Sequence, residues 1–197
     1  MQGEKPLEIL AAIVERRSIR KFQDKEIPKE LLEKVLEATS KAPSGKNIQP
    51  WRFVVLEGEK KKELTNLLSK TLMYLKENGI NTGTARNTFK IMEQAPTLVF
   101  VFNTNSTDKN TSDNFGNYRW KVDVQSIGGA IQTMLLAAQD MRLGTLWICD
   151  VFYCDTQICN FLNRNDELLA AVALGYPNEK PLARPRKNLN EVAEWIS

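Results

Sequence analysis

Apolar residues fall along this chain in two rhythms, one close to the 3.6-residue helical period and one of short unbroken runs. After Pro6, residues Leu7, Ile9, Leu10, Ile13 and Val14 recur at helical spacing up to Arg16-Arg17, which predicts a first helix ending in a basic cluster. From Pro28, the face formed by Leu31, Leu32, Val35, Leu36 and Thr39 predicts a second helix, broken at Ala42-Pro43-Ser44-Gly45. The span from Val122 to Met141 predicts a long helix with Ile127, Ala130, Ile131, Met134, Leu135 and Ala138 on its apolar face. It is nearly apolar all round and so expected to be buried, and Gly128-Gly129 would permit a close backbone approach.

The unbroken runs predict strands. Trp51-Arg52-Phe53-Val54-Val55-Leu56 is rich in β-formers, and Lys60-Lys61-Lys62 then starts another helix. Thr97-Leu98-Val99-Phe100-Val101-Phe102 follows Pro96 and is apolar throughout, which marks a central strand covered on both faces. Further strands are expected at about 145–149 and 168–175, separated by a short helix near 155–163, while the polar residues 103–120 predict a mobile loop. Helices and strands mix without strict βαβ alternation, so the fold class is α+β, a sandwich.

Composition narrows the function classes. At 197 residues the chain is read as a single domain, 1–197, with an ordinary globular balance of 42% apolar and 26% charged residues. No apolar run is long enough for a signal peptide or a bilayer span, so a cytoplasmic location with no membrane contact is expected. The chain has no histidine, which removes imidazole proton shuttles, His-activated nucleophiles and His-ligated metals, and leaves a cofactor as the expected source of any chemistry. Cys149, Cys154 and Cys159 stand five residues apart, a spacing that would not converge on one metal, so reduced, mostly structural thiols and no metal site are expected. A net charge of +3 is too small to indicate a nucleic-acid binder. Neither G-x-G-x-x-G nor G-x-x-x-x-G-K-[ST] occurs.

Two segments carry candidate chemistry. Arg16-Arg17-Ser18-Ile19-Arg20-Lys21 and Arg184-Pro185-Arg186-Lys187 lie at opposite ends of the chain and offer the guanidinium forks and hydroxyl that a phosphate dianion wants. Two solvated charge runs would look the same. Pro43-Ser44-Gly45-Lys46-Asn47-Ile48-Gln49-Pro50-Trp51 combines small, amide and aromatic residues that suit the edge of a heteroaromatic ring, and equally an ordinary loop anchored by Trp51.

Taken in order, these blocks resemble the nitroreductase-like FMN-dependent oxidoreductases. Arg16 to Phe22 resembles the family's opening Arg-x-Ser-x-Arg motif, and Ala42 to Trp51 resembles its second signature. Asp123 to Leu143, Gly144 to Ile148, Gly175-Tyr176-Pro177 and Arg184 to Lys187 resemble later blocks, so the likeness covers nearly the whole chain. It implies a three-layer α-β-α sandwich around a mixed, mostly antiparallel sheet, and an intertwined homodimer. The resemblance implies that Arg16, Arg17, Ser18, Arg184 and Arg186 surround the phosphate and ribityl chain of FMN, with Arg20 at the pyrimidine edge. A cation there offsets the charge the ring gains on reduction. Pro43, Ser44, Gly45 and Asn47 correspond to residues supplied by the second subunit, with Gln125 and Ser126 near the ring from that side. Ile148, Cys149 and Asp150 correspond to the stretch whose backbone faces flavin N5, and Cys149 stands where glycine is common. From the residue itself, Cys149 reads as a packed small apolar side chain rather than a redox thiol. Asn87 and Lys90 resemble pyrimidine-edge contacts, and a solvated helix face accounts for them equally well.

The activity implied is a ping-pong transfer of hydride from NADH or NADPH through flavin N5 to an electron-poor acceptor such as a nitroaromatic or quinone, with no catalytic side chain required. Segments 66–90 and 103–120 are expected to cover the acceptor. Rival readings on the same scaffold are a reductive dehalogenase, a flavin-fragmenting enzyme, a peptide-ring oxidase and a flavin-binding protein without turnover. The flavin-binding protein without turnover is a reading of a different class, and a nucleic-acid module using the basic clusters is a third.

Overall fold

The apolar run after Pro96 organises the molecule. In the computed structural model, which describes residues 9–105 and 114–196, it forms β2 (Thr97–Asn103), and all seven of its residues are buried. Side chains on a strand alternate between faces, so the run feeds two cores at once. Leu98, Phe100 and Phe102 enter one core with Leu146 and Ile148, whereas Val99 and Val101 enter the other with Val172 and Leu174. β2 lies between β1 (Trp51–Leu56) and β4 (Glu167–Gly175), and β3 (Gly144–Ile148) closes the other edge, giving the order β1-β2-β4-β3 with every pair antiparallel. The register shifts between Val101 and Phe102, which pair with Ala170 and Leu168, so Leu169 of β4 is the extra residue of a bulge. The parallel element is an isolated bridge from Ser18 to Thr145 of β3.

Helices cover both faces. On the first, α3 (Gly58–Glu77), α4 (Ala85–Gln94) and α6 (Asp155–Phe161) contribute Leu64, Leu68, Phe89, Met92 and Ile158. On the second, α2 (Lys29–Thr39) and α5 (Asn114–Asp140) contribute Leu32, Val35, Ile127, Ile131, Met134 and Ala138. α1 (Ile9–Glu15) packs on α5. This is the α-β-α sandwich expected, and burying about 25 cal/mol for each Å² of apolar surface on two faces is what drives it.

Two expectations are corrected. The polar stretch 103–120 is not a single loop: Asn103 ends β2, and α5 already begins at Asn114, while residues 106–113 lie outside the described residues. Tertiary contact extends the helix, since the indole N–H of Trp120 donates to both carboxylate oxygens of Glu167, at 3.1 and 3.0 Å, at the start of β4. Among the described residues Gly128 and Gly129 meet no close backbone, because a Cβ at either would find nothing within 4 Å.

One glycine does make room for the candidate site. A Cβ on Gly144 would sit 2.8 Å from Cγ1 of Ile19, which is buried against β3. Gly144→Ala is therefore expected to cost about 1–3 kcal/mol of stability and to push the 16–20 segment off the sheet edge, checked by denaturant unfolding.

Candidate functional site

The two basic clusters meet. Arg16, Arg17, Ser18 and Arg20 line a cleft of about 470 Å³ together with Arg184 and Arg186, walled by Ile13, Val14 and the segment Pro181–Ala183. Backbone pairing brings them there. Ser18 bridges to Thr145, and the Ile19 N–H donates to the Thr145 carbonyl at 2.9 Å. Phe22 bridges to Pro177, the Gln23 N–H donates to the Tyr176 carbonyl at 2.9 Å, and the Asn178 N–H donates to the Lys21 carbonyl at 2.9 Å. Oε1 of Glu179 accepts the N–H groups of Arg20, at 2.5 Å, and Lys21, at 3.1 Å. The C-terminal arm is thus laid along residues 18–23, which delivers Arg184 and Arg186 to the end of α1.

These cations have little to balance them. Burial holds the Arg16 guanidinium below its ordinary pKa, and the charges of Arg186 and Arg17 push it further the same way. Among the described residues no carboxylate forms an ion pair with Arg16, Arg17, Arg184 or Arg186. Arg17 Nη1 donates to the carbonyls of Val14 (2.7 Å) and Arg16 (2.9 Å), yet its Nε is buried with no partner among the described residues. Arg186 Nη1 reaches only the carbonyls of Arg184 and Pro185, at 3.4 and 3.3 Å. Like charges gathered with an orphaned buried donor are costly unless an anion joins them, so the residues fit a phosphate group.

A second group assembles at the other candidate loop. Past Pro43 and Ser44 the chain makes a tight turn over Gly45–Asn47, and Lys46, Asn47 and Gln49 all adopt left-handed backbone (φ 53°, 54° and 53°). Each such residue costs of order 1–3 kcal/mol, so contacts must hold the loop. The Gln49 N–H donates to Ser44 Oγ at 2.9 Å, and the Gly45 N–H donates to Ser126 Oγ at 3.2 Å. Ser126 Oγ in turn donates to the Val122 carbonyl at 2.7 Å. A Cβ on Gly45 would meet Val122 Cγ1 at 2.3 Å, so only glycine lets the loop lie this close to α5. Pro43, Ser44, Gly45, Asn47, Gln125 and Ser126 therefore form one patch, and none of them lines the arginine cleft.

The third group is the end of β3. Ile148 is buried, and the chain then leaves the sheet through Cys149 into a short 3-10 turn, Asp150–Cys154. Cys149 is exposed, which overturns its reading as a packed side chain. Its thiol pKa is pushed up first by the partial loss of hydration at the sulfur and then by Asp150, so it is not poised as a thiolate. All three cysteines are free; burial and then Asp155 push Cys154 up to about 11, as expected of a structural thiol. Among the described residues no cluster of Cys, Asp and Glu could hold a metal, and no helix is long and apolar enough to cross a membrane. Asn87 and Lys90 are exposed on α4. Sequence reasoning missed Thr88, whose hydroxyl donates to Asp150 Oδ2 at 2.5 Å, because a threonine in a helix carries no signal of a partner 62 residues away.

Arginines from both ends of the chain beside a two-faced antiparallel sheet are the ordered blocks of one family made spatial, and residues 13–176 match the nitroreductase family model. The chain belongs to the nitroreductase family. Among the family's relatives, an archaeal protein of Methanothermobacter thermautotrophicus, provisionally named an NADH dehydrogenase/NAD(P)H nitroreductase, is 28% identical over 183 residues, covering 90% of this chain and 82% of its own. Iodotyrosine deiodinase 1 of Sus scrofa is 28% identical over 193 residues, covering 90% of this chain and 64% of its own. The crystal structure of a provisionally named nitroreductase in complex with FMN, from Desulfovibrio desulfuricans, superposes with a TM-score of 0.73 at 28% identity, covering 99% of this chain and all of that one. The family and fold read from the sequence motifs are thereby borne out.

Proposed function

We propose that this nitroreductase-family chain is an FMN-dependent oxidoreductase that passes hydride from NADH or NADPH to an electron-poor acceptor such as a nitroaromatic or quinone. The observation that carries the reading is the uncompensated arginine cleft with the orphaned Nε of Arg17, together with a relative of the same fold crystallised with FMN. Arg16, Arg17, Ser18, Arg184 and Arg186 would hold the phosphate and ribityl chain, and Arg20 would lie at the pyrimidine edge. Ile148, Cys149 and Asp150 would present backbone toward N5. When bound, FMN supplies a two-electron relay that serves the nicotinamide and the acceptor in turn. The protein's task is then to bind, orient and exclude water, and solvent supplies the acceptor's protons, in keeping with the absence of histidine.

The patch of Pro43, Ser44, Gly45, Asn47, Gln125 and Ser126 would complete the site of a second copy across a homodimer. Unpartnered apolar surface supports this reading. Ile9, Leu10 and Val14 of α1 are 69–71% exposed beside α5, and Trp195 and Ile196 of the C-terminal arm are 86% and 91% exposed. A homodimer that covers them would also use the open space at Gly128-Gly129.

The purified chain is expected to be yellow, or to become so with FMN, and to sediment as a dimer whose flavin absorbance bleaches with reduced nicotinamide and returns with acceptor. A colourless chain that rejects FMN overturns the proposal; a monomer that holds FMN overturns the shared site. Reductive dehalogenation is the second reading, favoured by the iodotyrosine deiodinase relative, and halide release from a halogenated phenol in the same assay would select it.

A further inference from the structure

Helix α4 is gripped at both ends by side chains from elsewhere. At its C-terminal end, the buried Lys61 ammonium of α3 donates to the carbonyls of Glu93, at 2.9 Å, and Ala95. At its N-terminal end, Thr88 Oγ1 donates to Asp150 Oδ2 at 2.5 Å, and Thr84 Oγ1 reaches the same oxygen at 3.4 Å. Thr84 and Thr88 are one helical turn apart and share a face, so both hydroxyls point at one carboxylate. Asp150 opens the turn that leaves β3, directly after Ile148 and Cys149. That turn is otherwise fixed, because Val151 and Cys154 are fully buried and the Phe152 N–H donates to the Cys149 carbonyl at 3.1 Å.

We propose that Asp150 is a positioning residue whose carboxylate, clasped by Thr88, locks the 148–150 backbone to α4 and keeps its negative charge turned away from the flavin's reactive edge. The inference rests on the flavin reading above and adds to it a role for two side chains that never touch the ring. An O–H to carboxylate bond is charge-assisted and short, and the helix N-terminus adds a favourable dipole. Held there, the charge of Asp150 is spent on α4. Released, the same carboxylate could swing beside the ring and oppose the electron density that reduction brings. The clasp also ties α4, with its exposed Asn87, to the backbone facing N5, so that the two edges of the ring are approached by one rigid unit.

The test compares T88V, which keeps the shape of the side chain and loses the hydroxyl, with T88S, which keeps the hydroxyl and loses the methyl. In the FMN-loaded protein, T88V is expected to show a more negative flavin midpoint potential and about a tenfold lower kcat for nicotinamide oxidation with KM within about twofold, while T88S matches the wild type. In T88V/D150N, where no charge remains to swing out, the potential should return to the wild-type value or above. Packing, by contrast, would make T88S the damaged variant and leave T88V silent, and that result overturns the proposal. So does a T88V potential that does not move while FMN uptake is normal, an outcome that leaves the flavin reading standing. Failure of the wild type to take up FMN removes both.

Discussion

Replacing Arg16 and Arg186 together by glutamine is expected to weaken FMN binding roughly a thousandfold while leaving the flavin-free chain at least as stable as the wild type. The two effects have opposite signs for one physical reason. In the empty cleft the two guanidinium groups share one space, and both burial and the charge of Arg186 already hold the Arg16 pKa down, so removing the charges relieves repulsion. With a phosphate dianion present, each guanidinium makes charge-assisted hydrogen bonds worth about 1.5–3 kcal/mol, and two of them account for a factor of about 150 to 20,000. Fluorescence titration with FMN reads the first effect and denaturant unfolding of the apoprotein reads the second. An apoprotein that loses stability with the double substitution would mean that the arginines serve the fold, and the phosphate argument would fall.

Gly129→Leu is expected to leave the isolated chain as stable or slightly more stable, and yet to abolish both the dimer and FMN retention. Among the described residues of one chain nothing lies within 4 Å of a Cβ at this position, so leucine has room, and relieving a mid-helix glycine gains about 0.5–1 kcal/mol. In the proposed homodimer the same space would hold the second copy. Sedimentation velocity and the absorbance of the eluted protein check both outcomes together. A yellow dimer carrying Gly129→Leu would place the subunit contact elsewhere and return the Ser44–Asn47 loop to an ordinary structural role.

Much of the fold was legible in the residues. The unbroken apolar run at Thr97–Phe102 announced a strand covered on both faces, and the periodicities after Pro28 and Val122 announced α2 and most of α5, because burial of apolar side chains at fixed period is a local property. The start of α5 was not legible. Residues 114–121 hold no aliphatic side chain to set a helical period, and their helix is held by the bond from Trp120 to Glu167, a partner 47 positions away. The candidate site divides the same way. Residue types at the arginine clusters and at Ser44–Asn47 were visible as chemistry, but the left-handed backbone of Lys46, Asn47 and Gln49 and the clasp on Asp150 were not.

By itself, then, the sequence determined which surfaces must be buried, where the chain could turn, and that its charge chemistry would be arginine without histidine. Tertiary structure alone decided that Arg16 and Arg186 would share one cleft, that Gly45 would seat its loop on Val122, and that Gly129 would face open space among the described residues. The division follows from range: periodicity and propensity act between neighbours in sequence, whereas convergence of charges 170 residues apart depends on the backbone pairing of 18–23 with Thr145 and 176–179.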